Sequence, residues 1–253
     1  YNMKSYINKI VAVLFVALVV VGFSSCVNDL DVEPKDPNSL TAADFKNDPE
    51  GYLMKVMGKC YSGLAVSGQG GPNGSSDISG LDGGTSQYTR ALFMMNEFTT
   101  DEAHWIWPDE GVFDLVTSTW SKGNANIYGT YSRLYVHIAI CNEFLRLVDA
   151  GNMSTLGIPV SESLAKTIEE YKLEARALRA LSYYNAIDLF GNASFIDETY
   201  VAGAAPVQKT RRELYDWLAA ELEDLVTKMA SVTSPIYGRV GVDGVEALLC
   251  RLY

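Results

Sequence analysis

Asp101-Glu-Ala-His-Trp-Ile-Trp-Pro-Asp-Glu-Gly111 is the most unusual stretch of this 253-residue chain. Trp105 and Trp107 flank a single residue, Pro108 prevents a helix from continuing, and four carboxylates crowd around them. At least one indole is therefore expected at the surface. A Trp face is a flat apolar platform with a polar N–H edge. A pyranose has apolar C–H faces and hydroxyl edges, so the two surfaces match in shape and polarity. Asp109, Glu110 and Asn96 are placed to hydrogen-bond such hydroxyls and fix their orientation. The competing reading is that either indole plugs a core beneath the long loop that precedes this segment.

Asp101, Glu102, Asp109 and Glu110 could also supply the paired carboxylates of a glycoside hydrolase, which stand ~5 Å or ~6.5–9.5 Å apart across the scissile bond. In an acidic chain most carboxylates are solvated surface groups, so binding without catalysis is the expectation. His104 and His137 are far apart and lack ligand spacing, so no zinc site and no histidine-based dyad is expected. Cys60, Cys141 and Cys250 sit on helix-like apolar spacing with no Cys-x-x-Cys pair, and read as buried free thiols. The Gly-rich stretch 66–84 lacks the phosphate-cradle pattern and follows no strand. No cofactor and no metal are expected.

The formal net charge is −11. Such a surface repels phosphates, which argues against nucleic-acid binding. Fifteen Tyr, nine Phe and four Trp make 11% of the chain, enough that some rings are expected to serve a surface.

These side chains must be positioned by helices. Leu53, Val56, Met57, Cys60, Tyr61 and Leu64 follow the spacing of one helix face, giving a first helix over about 50–65. Further helices are expected over 86–98, 124–150 (ended by Gly151) and 161–190 (closed by Gly191). Thr210-Arg-Arg-Glu213 is a capping box opening another, whose core face runs through Leu214, Trp217, Leu218, Leu222, Leu225 and Met229. A last helix starts near Asp243. Nothing alternates with period two for long enough to build a sheet, so the fold class is mainly α. Ala177-Leu-Arg-Ala-Leu-Ser-Tyr183 and Ala247-Leu-Leu-Cys-Arg-Leu-Tyr253 are weakly alike at a separation of 70, near twice the ~34-residue tetratricopeptide period. Helical-hairpin repeats with long loops follow. Aromatics within these helices are expected in the core.

At the other end, Lys4 and Lys9 precede an apolar run from Ile10 to Phe23. That run is shorter than the ~20 residues of a membrane-spanning helix and has the layout of a secretory signal. It ends in Phe23-Ser-Ser25 before Cys26, which resembles the lipobox of bacterial lipoproteins, where the cysteine is acylated and becomes the first residue. Loss of residues 1–25 removes two lysines and no acid, moving the charge from −11 to −13. Residues 26–49, polar and carrying Pro34, Pro37 and Pro49, read as an extended tether. Residues 50–253 read as the folded domain. The chain stops at Tyr253 within an apolar helical pattern, so it is read as the N-terminal portion of a longer protein and is expected to be poorly soluble alone.

Together these motifs resemble the SusD/RagB family of nutrient-binding lipoproteins of Bacteroidetes. The carriers are Cys26 with Leu30-Asp31-Val-Glu-Pro34, Thr99-Thr-Asp-Glu102, Glu174-Ala-Arg-Ala-Leu-Arg-Ala180, Tyr183-Tyr184, Leu189-Phe-Gly191, Glu213-Leu-Tyr-Asp-Trp217 and the Ala247-Leu-Leu helix. One departure is local: Asn-Ala-Ser-Phe195 follows Leu-Phe-Gly, where the family often has a proline. The resemblance implies a tetratricopeptide-containing protein held in the outer membrane by its lipid alone and facing the cell exterior. It would capture oligosaccharides for a SusC-like TonB-dependent channel, with sugar-contacting aromatics in roughly the region of Trp105 and Trp107. A peptide ligand, as in the RagB branch, and a scaffolding role remain the alternatives.

Overall fold

The computed structural model describes Met3 and residues 39–68, 76–232 and 236–253. Cys26, the signal segment and most of the tether lie outside the described residues. The residues from Ala42 to Tyr253 form one compact unit of nine helices and one two-stranded sheet among the described residues.

Helices α1 (Ala42–Asn47) and α2 (Pro49–Ser62) open the unit. α1 falls inside the stretch assigned to the tether, because Phe45 is an isolated large apolar residue that buries fully and stacks on Tyr52 at 4.4 Å. α3 (Tyr88–Glu97) and the short α4 (Val112–Val116) follow. α5 (Ala125–Leu147) starts at Asn124, whose side chain accepts from the N–H groups of Asn126 and Ile127. It ends at Leu147 rather than at Gly151, because Asp149 caps a further short helix, α6 (Ala150–Thr155), that contains that glycine.

α7 (Glu162–Phe190) runs 29 residues from the Ser161 cap, and Gly191 ends it at φ +70°, a conformation costly for other residues. α8 (Arg211–Met229) begins with the expected capping box: the Thr210 N–H donates to Glu213 Oε2 at 2.8 Å and the Glu213 N–H to Thr210 Oγ1 at 3.3 Å. α9 (Val242–Leu252) is the last element.

α5 and α7 lie side by side at the centre. α8 packs on α7, α9 on α8, α3 on α5, and α2 lies against both central helices. The buried alanines 175, 177, 180 and 186 let backbones approach closely along α7. Leu214, Leu218, Leu222 and Leu225 fill the seam from α8 at the expected face.

A small sheet departs from the all-helical expectation. β1 (Ala193–Phe195) pairs antiparallel with β2 (Val207–Lys209), Ser194 opposite Gln208. Three residues are too few for alternation to show in sequence. Tyr183 anchors the turn beyond β1, its hydroxyl donating to the Ile196 carbonyl at 2.6 Å and accepting from the Ile196 N–H at 2.8 Å.

Two buried polar groups tie the helices to the loops. Arg133 on α5 bonds the Ser67 carbonyl at 2.9 Å, the Ser86 carbonyl, and Asp77 at 2.7 Å, fastening the segment before α3. Arg179 on α7 meets Asn142, Glu198 and Glu221. Cys60 and Cys141 are buried as expected, but Cys250 is exposed because α9 turns the opposite face, through Val245, toward the core.

Candidate functional site

The loop carrying Trp105 and Trp107 joins α3 to α4, and its ends are fixed by local chemistry. Thr99 Oγ1 donates to the Met95 carbonyl at 2.8 Å and Thr100 Oγ1 to the Glu97 carbonyl at 2.7 Å, closing the end of α3. At the other end Gly111 sits at φ +73°, and a Cβ there would lie 3.0 Å from the amides of both Asn124 and Asn126. Those amides need the space: Asn124 donates to the Gly111 carbonyl at 2.8 Å and Asn126 to the Glu110 carbonyl at 3.1 Å. The loop is thus laced to the start of α5.

Within it the two tryptophans separate. Trp105 is half-buried, its ring 5.5 Å from Phe98 in a small cluster with Met94, Val112 and Leu115. Its indole N–H donates to Asp109 Oδ2 at 2.7 Å, and the Arg90 guanidinium lies 5.6 Å from the ring. Trp107 is 68% exposed beside Ile106 at 82%. Asp109 is brought to Trp105, Asn96 donates to the Leu92 carbonyl of its own helix at 2.9 Å, and the Glu110 side chain is exposed.

A cleft of about 610 Å³ lies beside the loop, lined by Thr99, Thr100, Asp101, His104 and Ser118; neither indole lines it. Sequence reasoning missed Arg90, which reaches Trp105 only across the α3 turn. It also missed the exposed rings of Phe93 and Phe113, whose signal was that Phe93 falls off the stripe Tyr88, Ala91, Met94 and Phe98. Among the described residues no three His, Cys, Asp or Glu side chains group as a metal site would require, and no helix is long and apolar enough to cross a membrane.

Other clefts lie elsewhere. One of about 780 Å³ is walled by Arg146, Lys172, Arg176 and Glu198, with its cations tied to Glu143, Glu169, Glu221 and Asp224. Another of about 490 Å³ surrounds the Arg239–Glu174 ion pair.

Comparison with known proteins places this architecture. The starch-binding protein SusD of Bacteroides thetaiotaomicron is 33% identical over 249 residues, 98% of this chain. The chain is a homologue of SusD. It spans 41% of the length of SusD. No family model matches the chain. A SusD superfamily protein from Bacteroides vulgatus superposes with a TM-score of 0.61 at 18% identity, covering 85% of this chain and 43% of that one. A SusD-like carbohydrate-binding protein from Bacteroides fragilis gives 0.59 at 17% identity, over 80% and 36%. The surface glycan-binding protein A of Bacteroides uniformis gives 0.58 at 19%, over 80% and 41%. At these identities the solved structures speak for the fold: mainly α and SusD-like.

Proposed function

We propose that the chain works as part of a cell-surface lipoprotein, tethered through an acylated Cys26, that captures oligosaccharides and hands them to a SusC-like TonB-dependent channel in the outer membrane. Residues 1–25 act as the export signal and the polar stretch after Cys26 as the tether of the helical domain. The observation that carries the reading is the split between the two indoles. Trp105, braced by Phe98 and Asp109, stiffens the loop, and Trp107 stands 68% exposed on it as a platform for a sugar face. Asn96 and Glu110, both exposed, orient hydroxyls of the bound sugar.

The starch-binding name of the relative at 33% identity supports a carbohydrate ligand. Nothing in the loop requires bond breaking: Asp109, one of the candidate catalytic carboxylates, is held by the Trp105 indole N–H. Incubation of the full-length protein with a glycan and peptide array tests this. Retention of glycans without release of reducing ends is expected; retention of peptides alone, or new reducing ends, would refute it.

A further inference from the structure

Thr99, on the wall of the cleft beside the tryptophan loop, also lines a second cleft of about 500 Å³. Met95, Ile127 and Phe190 make its walls apolar, and Trp120, Ser121 and Lys122 bring polar groups to it. Trp120 is 44% exposed. The chain reaches it through Ser118, a non-glycine residue at φ +55°, kept in that sparsely populated conformation as the Thr119 N–H donates to the Asp114 carbonyl at 2.9 Å. Neither the Trp120 indole N–H nor the Lys122 ammonium has a partner among the described residues.

The sign of the charge sets this cleft apart. Its lining carries one formal charge, the Lys122 ammonium, and no carboxylate. The clefts around Arg239 and Arg176 hold at least as many acids as bases, and the one beside the tryptophan loop holds Asp101. On a chain of net charge −11, this lining offers an anionic ligand a cation with no carboxylate among the lining residues to oppose it. Beside Lys122, Trp120 offers an aromatic face with a free N–H edge, which suits a ring with an apolar side and polar rim.

We propose that this cleft is a second sugar subsite that takes a uronic acid residue, its ring stacked on Trp120 and its carboxylate on the Lys122 ammonium. The inference rests on the glycan-binding reading above and specifies the class of sugar. Thr99 borders both this cleft and the one beside the tryptophan loop, so the two clefts adjoin.

The test uses the full chain and a panel of neutral oligosaccharides with their C6-oxidised, uronate-bearing counterparts, measured by titration calorimetry. Uronate-bearing chains are expected to bind more tightly than neutral ones. Lys122→Gln and Trp120→Ala should each weaken uronate binding by about tenfold, the loss expected for a charge-assisted contact or a stacked ring. Lys122→Gln should leave neutral binding unchanged, and the uronate preference should shrink with added salt. If neutral and uronate chains bind alike, or if Lys122→Gln leaves uronate binding intact, this subsite is wrong and the capture reading stands. If no oligosaccharide of either kind binds, both fall.

Discussion

Trp105 donates its indole N–H to Asp109 across four residues at 2.7 Å, closing the loop on itself, and Trp107 between them is left outside that bond. The pair therefore divides the two tryptophans between support and contact.

That division has separate consequences for stability. Trp105→Ala removes a ring packed against Phe98 and under Arg90, and is expected to cost about 2 kcal/mol, less than the ~3–5 kcal/mol of a fully buried ring. Trp107→Ala, at an exposed position, should stay within about 0.5 kcal/mol of the parent. Urea denaturation midpoints of the two variants check this; equal losses would mean that both indoles are structural.

Arg133 is 2% exposed and satisfies two backbone carbonyls as well as Asp77. Replacement by Met keeps the aliphatic stem and strands those acceptors, which should cost about 3 kcal/mol. The segment from 76 to 86 should then exchange its amide hydrogens faster, as read by mass spectrometry. Unchanged exchange there would show that the loop is held by other means.

His137 is buried, with Nε2 2.9 Å from the Cys60 carbonyl and Nδ1 2.7 Å from Ser182 Oγ. The carbonyl can only accept, so Nε2 carries the proton and Nδ1 receives the serine hydroxyl, a neutral ring. Burial lowers its pKa from the usual 6.5, the Cys60 carbonyl opposes this, and Arg133 one turn away reinforces the lowering. A lowered folded-state pKa means that the unfolded chain takes up the proton first, so this contribution is complete above about pH 6.5 and is lost as pH falls below it. Glu221 adds to the acid side. Burial raises its pKa, but Arg176 and Arg179 outweigh burial and hold it below 4.5, so its contribution is lost only below that pH. Urea midpoints should therefore drop between pH 7 and pH 5 in the parent and stay flat over that interval in His137→Gln; equal slopes would sink the assignment.

The long helices were legible because burial on one side imposes its period on the residues. Leu214 through Met229 and the Thr210–Glu213 box specify α8 locally, and Gly191 marks the end of α7 by a backbone angle few residues accept. Elements of three to six residues were not legible: α1, α6 and the β1–β2 pair depend on contacts made by single residues such as Phe45 and Tyr183 with partners distant in sequence. At the site, composition exposed the tryptophan loop as unusual but could not divide its labour. That division depends on Phe98 and Arg90 arriving from α3, and on Asn124 and Asn126 gripping the far end from α5. The Trp120 cleft escaped notice for the same reason, since its walls come from α3, α5 and the end of α7.

Oligosaccharide affinity of the full-length protein, compared with that of its Trp107→Ala variant by titration calorimetry, probes the account most directly. Loss of a stacking platform should raise Kd at least about tenfold while the urea midpoint stays put. Parent-like affinity in a folded Trp107→Ala protein would contradict the account.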